Sequence, residues 1–197
     1  MPSRKKCRER RSEVKTYKVE DLMVPLSEYA TVTVGATLFE AVLALEKAQG
    51  EFDQTRYRHR AVLVLDAGGD VIGKISQHTA LKALEPRYFK MAARSSAAHY
   101  GFSANFLKDL QEQYHLLDGA LENICQKAAQ TKVEDFMANI EEGEFIEANA
   151  SLDQAIHLLV MGHYQSLLVR KNGKVVGALR LSDVFAAVFQ VMKTCKL

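Results

Sequence analysis

Few residues of this chain are typed and spaced for chemistry, and the most visible of them is a decoy. Gly68-Gly69-Asp70-Val71-Ile72-Gly73-Lys74 fits the first seven places of a phosphate-binding P-loop. The eighth residue is Ile75, so no hydroxyl is present to hold magnesium. Val71 and Ile72 have strand character where a P-loop needs bare backbone amides, and the expectation is a β-hairpin turn. The six histidines form no ligand cluster: His157 and His163 lie off a common helix face, and His99 and His115 fall in a separate segment. No metal-hydrolase pattern, nucleophile elbow or paired-cysteine redox site is present. Cys7, Cys125 and Cys195 are odd in number and scattered, which predicts reduced thiols and a cytoplasmic setting. Without a nucleophile–base pair, catalysis is not expected.

The elements that would position a binding site are written twice. Val19-Glu20-Asp21-Leu22-Met23 recurs as Val133-Glu134-Asp135-Phe136-Met137, an offset of 114 residues. At the same offset Leu38, Ala41, Val42 and Leu45 return as Leu152, Ala155, Ile156 and Leu159, each quartet forming one apolar helix stripe. Thr37-Leu38-Phe39-Glu40 and Ser151-Leu152-Asp153-Gln154 both fit a capping box. Strand character at residues 30–34, a helix from Leu38 to about Gln49, a polar connection over 50–58, a buried strand at 61–65, a turn at 66–70, a strand at 71–75 and a helix from Ser76 make the first copy. The second copy follows with strands at 145–148, 166–169 and 175–179, and helices at 152–161 and 182–192. Gly73 recurs as Gly177 at an offset of 104, so copy one carries ten extra residues, mostly around 50–58. The predicted fold is α/β (α+β): two β-α-β-β-α units about a pseudo-twofold axis.

At 197 residues, 48% hydrophobic and 25% charged, the chain suits one globular pair of halves. No apolar run approaches the ~20 residues that cross a bilayer, so no membrane partner is expected. No hydrophobic segment follows the basic N-terminus, so it does not read as a secretory signal. Residues 1–18 hold eight Lys or Arg against Glu9 and Glu13, while the remainder is net acidic. This arm, residues 1–17, reads as a solvated, partly disordered tail; nucleic acid is a possible partner only through it. Between copies 18–86 and 131–197 lies an insertion, residues 87–130, expected to be mainly helical. Its heptad stripe is Leu107, Leu110, Tyr114, Leu117, Leu121, Ile124 and Ala128. An intramolecular hairpin and a dimer contact both fit that stripe.

The repeated unit resembles the cystathionine β-synthase (CBS) domain, a regulatory module found as tandem pairs. The lead-ins beginning at Val19 and Val133 look like its opening signature. The segments 66–76 and 172–184 look like its hairpin. The resemblance implies two clefts between the copies that often take AMP, ADP, ATP or S-adenosylmethionine, with no cofactor required. The family motif Gly-x-x-Thr/Ser-x-x-Asp ends the hairpin; its Asp accepts from ribose hydroxyls and its hydroxyl helps hold phosphate. Here each copy keeps half: copy one has Ser76 but Thr79 in place of Asp, and copy two has Asp183 but Arg180 in place of the hydroxyl. A guanidinium offers phosphate a fork of donors, and a carboxylate, acceptor-only, suits a diol. Asp183 fits equally a helix N-terminal residue stabilised by free amides. Adenine contacts implied by the family fall on Phe145, Ile146, Glu147, Gln165, Ser166 and Leu167 in copy two, and on Thr31, Val32, Thr33, Arg60, Ala61 and Val62 in copy one. Arg60, beside His59, can add positive charge to the cleft.

Two functions follow from this reading. One is a non-catalytic, homodimeric adenine-nucleotide sensor acting on another, unidentified protein, since no catalytic or transporter domain is recognised here. The other is a scaffold with degenerate clefts, working through the insertion and the basic arm.

Overall fold

The computed structural model describes residues 17–52, 57–84 and 123–194. The basic arm up to residue 16, the heptad positions Leu107 to Leu121, His99, His115, Pro86, Cys7 and Cys195 lie outside the described residues. Within them the chain runs α1 (Val19–Leu22), β1 (Val24–Pro25), β2 (Thr31–Thr33), α2 (Leu38–Glu51), β3 (Ala61–Leu65), β4 (Val71–Ser76) and α3 (Gln77–Leu84). It resumes with α4 (Ile124–Gln130), β5 (Ala138–Asn139), β6 (Phe145–Glu147), α5 (Leu152–Met161), β7 (Ser166–Lys171), β8 (Lys174–Arg180) and α6 (Leu181–Thr194).

These strands form two four-stranded sheets, ordered β2-β3-β4-β5 and β6-β7-β8-β1. Each copy supplies a parallel pair and a hairpin, and the other copy's lead-in closes the sheet. β1, from the start of copy one, pairs antiparallel with β8, and β5, from the start of copy two, pairs with β4. The exchange extends to helix entry: Val19 N–H donates to the Ala150 carbonyl at 3.0 Å, and Val133 N–H to the Ala36 carbonyl at 2.9 Å. Val19 is accordingly buried in the core of copy two, and Val133 with Phe136 in the core of copy one.

Both capping boxes are formed. Thr37 Oγ1 accepts from Glu40 N–H at 3.2 Å and Ser151 Oγ from Gln154 N–H at 3.3 Å, satisfying donors that the first turn leaves open. Glu40 reaches back to the Thr37 N–H and hydroxyl, which hold its carboxyl below the usual range.

The P-loop-like stretch is the β3–β4 hairpin. Asp66 Oδ1 accepts from the N–H groups of Gly68 and Asp70, and Gly69 takes φ +85°, which glycine adopts without a side-chain clash. Lys74 meets the carboxylate of buried Glu144, not a phosphate, at 2.5 Å. Nine of the ten extra residues of copy one precede β3, because Leu63 pairs with Thr31 whereas Leu168 pairs with Phe145. Some of them lengthen α2, which continues through Gly50 to Glu51.

A third core joins the sheets face to face, with Val24, Leu168 and Ala178 from one and Leu63 from the other, plus Tyr29 and Phe52. Among the described residues no helix is long and apolar enough to cross a membrane.

Candidate functional site

The hairpin ends are built alike in the two copies. β4 finishes at Ser76 and β8 at Arg180, and each runs directly into a helix whose third residue is Thr79 or Asp183. In copy one Ser76 Oγ lies 2.8 Å from Thr79 Oγ1 and accepts from Thr79 N–H at 3.0 Å. In copy two Arg180 grips Asp183 with two donors, Nε to Oδ2 at 2.5 Å and Nη2 to Oδ1 at 2.7 Å. The same two places therefore hold a neutral hydroxyl pair and a forked ion pair. The strands beside them correspond too: the Gln77 N–H donates to the Arg60 carbonyl and the Leu181 N–H to the Gln165 carbonyl.

Arg180 and Asp183 are buried, 4% and 8% exposed. An ion pair this far from water is tolerable only when the geometry is good and the remaining donors are met. The third guanidinium nitrogen meets that requirement by leaving its own copy. Arg180 Nη1 donates to the backbone carbonyl of Tyr57 at 2.7 Å and approaches His59 Nδ1 at 3.4 Å. Arginine has no acceptor, so Nδ1 faces it as the lone-pair nitrogen. His59 is fully enclosed, its ring 4.9 Å from that of Tyr29 and 4.3 Å from that of Phe52, and the guanidinium lies 5.2 Å from the Phe52 centroid. The Gln49 amide secures the His59 carbonyl at 2.9 Å. Burial pushes the Tyr29 hydroxyl up to about 12, an effect that Arg180 opposes and Asp183 reinforces.

The other predicted site residues fall in four environments. Ile146 and Leu167 are enclosed in the copy-two core, and Val62 in the copy-one core, with Val32 packed beside it. Phe145 joins the core between the sheets and is covered by the Arg170 guanidinium, 3.3 Å from its centroid. Thr33, Glu147, Arg60 and Gln165 are exposed, with Ala61 and Ser166 half-buried. Thr31 lines a cavity of about 350 Å³ with Tyr29, Lys47, Glu51 and Phe52, so Tyr29 and Phe52 separate that cavity from the Arg180 network. Sequence reasoning missed Tyr29, Phe52 and Tyr57 altogether and noted His59 only as a neighbour of Arg60. The available signal was the ten-residue excess of copy one, because Phe52, Tyr57 and His59 lie in or beside it. Among the described residues no group of His, Cys, Asp and Glu is arranged to hold a metal ion.

The CBS-domain family model matches residues 19–86 and 133–190, the two repeats with their lead-ins. The chain belongs to the CBS-domain family. Solved CBS structures share its fold at low identity. A CBS domain-containing protein from Bacillus anthracis str. Ames Ancestor aligns with TM-score 0.59 and 19% identity, over 91% of this chain and 98% of that one. The CBS-pair protein CBSX2 from Arabidopsis thaliana aligns with TM-score 0.53 and 18% identity, over 91% and 99%. A structure of CBSX2 in complex with AMP gives TM-score 0.55 and 20% identity, over 88% and 97%. No curated protein matches significantly in sequence.

Proposed function

We propose that this CBS pair is a non-catalytic regulatory module that takes an adenine nucleotide between its repeats, 18–86 and 131–197, and signals to a partner protein. The observation that carries this reading is the Arg180–Asp183 fork at the β8–α6 junction, where copy two retains the ribose half of the family motif. AMP in the CBSX2 structure supports adenine as the ligand class. Asp183 would accept from the ribose hydroxyls and Arg180 would donate to phosphate, with Gln165 and Ser166 beside the base. Copy one, with Ser76 and Thr79 bonded to each other, offers no carboxylate for a diol and is the poorer cleft.

Homodimerisation accompanies this reading. The outer faces of the helices leave large apolar side chains in water: Phe39 and Val42 on α2, Leu81 on α3, and Phe185, Phe189 and Met192 on α6. Light scattering is expected to give about twice 22.0 kDa. We place the dimer in the cytoplasm, with nucleic-acid contact confined to the basic arm.

The test is thermal unfolding with AMP, ADP, ATP and S-adenosylmethionine. A ligand of the native state raises the melting point by linkage, by an amount that grows with its concentration. If none of the four does so, either with the parent or with a variant freed of the contacts that the opposite copy makes to Arg180, the scaffold reading replaces this one, favoured by Thr79 standing where copy one would need an aspartate.

A further inference from the structure

In copy two every part of the fork that a nucleotide would use already has a partner within the chain. Both Asp183 oxygens are taken by Arg180, and the outward Nη1 of Arg180 is taken by the Tyr57 carbonyl of copy one. The peptide segment thus offers the guanidinium a carbonyl oxygen where a phosphate would offer one. It is anchored from behind by His59, whose ring sits against Tyr29 and Phe52. Copy one's connection from α2 to β3 covers residues 52–60, whereas copy two's connection from α5 to β7 covers only 162–165, and part of the nine-residue excess before β3 lies there.

We infer that the segment Tyr57–His59 is an internal occupant of the copy-two cleft, and that an adenine nucleotide binds there only by displacing it from Arg180. The inference rests on the nucleotide reading above and adds how that site is regulated. Binding and release of a segment from the opposite copy become one equilibrium. Ligand affinity is then reduced by the fraction of molecules in which the segment is away. The displaced segment carries His59 away from Tyr29 and Phe52 in the core between the sheets, and these two rings line the cavity beside α2, where occupancy is then felt. Phosphate is the group best able to compete, since it is charged and can meet the guanidinium with two oxygens where a carbonyl has one.

The chain has no tryptophan, so Tyr57→Trp places a single indole in the segment while keeping the backbone carbonyl that Arg180 uses. Tyr57 is 46% exposed, which leaves room for the larger ring. Saturating ATP is expected to raise acrylamide quenching of that indole, with a midpoint matching calorimetric binding. His59→Ala, which removes the anchor and its 3.4 Å contact with Arg180 Nη1 while leaving the Arg180–Asp183 fork in place, is expected to tighten ATP binding about tenfold, as for an occupant in place nine-tenths of the time. ATP binding only after His59→Ala also supports the inference. ATP binding with quenching unchanged or lowered overturns it and leaves the nucleotide reading standing. A folded His59→Ala variant that binds no tighter overturns it too; should that variant fail to fold, the indole reporter alone decides. If neither protein binds any adenine nucleotide, the nucleotide reading itself falls and this inference with it.

Discussion

Burial makes Arg180 and Asp183 dependent on each other in a way their exposed counterparts would not be. Two charges moved out of water are stabilised only by the fork between them and by the Tyr57 carbonyl. Asp183→Ala is therefore expected to destabilise the fold by about 3–5 kcal/mol, because it strands a buried guanidinium. The combined change Arg180→Met with Asp183→Leu should recover most of that loss, since it removes both charges at similar volume. Urea midpoints of the two variants and the parent test this; a single mutant as stable as the parent would refute it. Tyr29, beside the same pair, gives a pH dependence. Its folded pKa of about 12 lies above the ordinary 10.0, so the folded state keeps a proton that the unfolded chain gives up. The stabilisation is full below pH 10 and is lost as pH rises toward 12. Tyr29→Phe should flatten that high-pH decline, read by denaturant titration at about pH 9 and about pH 11.5, on either side of the ordinary tyrosine value. Motif spacing brings Arg180 and Asp183 forward as candidates, but nothing in their local sequence tells that they face each other and a peptide from the other copy. A partner 123 residues away leaves no periodic trace.

Elements with a repeating apolar face or a cap were legible, and those held by a single long-range contact were not. The sequence predicts α5 at 152–161, and the structure has it there, because its stripe and capping box agree. The sequence ends α2 near Gln49, yet the helix continues through Gly50. Glycine costs ~1 kcal/mol inside a helix, and here Gln49 bonded to the His59 carbonyl and buried Phe52 hold the last turn. β1 and β5, two residues each, carry no alternation to read, so their exchange between sheets was invisible. Two glycines make that exchange possible. A Cβ on Gly177 would strike the Val24 carbonyl of β1, whereas one on Gly73 would meet mainly the Met137 thioether beside β5. Backbone in a paired strand cannot yield, but a methionine side chain can swing aside. Gly177→Ala is thus expected to destabilise by clearly more than Gly73→Ala, roughly 3 against 1 kcal/mol on the scale of overpacking. Equal unfolding midpoints for the two variants would argue against β1 and β5 being held in this way.

At the scale of the molecule, the exchange of lead-ins makes each repeat's core depend on residues that belong in sequence to the other. Val133 and Phe136 complete the core around Leu38, Val62 and Ile75, and Val19 completes the one around Leu152, Leu167 and Leu179. The third core then fixes the two sheets against each other. A division between the repeats, within residues 87–130, leaves neither half with a full complement of apolar partners. The doubled sequence showed two units; it did not show that neither is self-sufficient, because that depends on which sheet receives β1 and β5. Residues 18–86 prepared alone lack β5 and the apolar patch at 133–137, and are expected to melt without a cooperative transition. The whole chain is expected to unfold in one step, with calorimetric and van't Hoff enthalpies equal. Val133→Ala, which opens a cavity in the copy-one core, should lower the stability of that single transition by about 2 kcal/mol and not split it in two. A chain that melts in two steps after this substitution, or a fragment 18–86 that melts cooperatively by itself, would mean that the repeats fold separately. Displacement of the Tyr57 segment would then have no packed partner through which to alter the rest of the molecule.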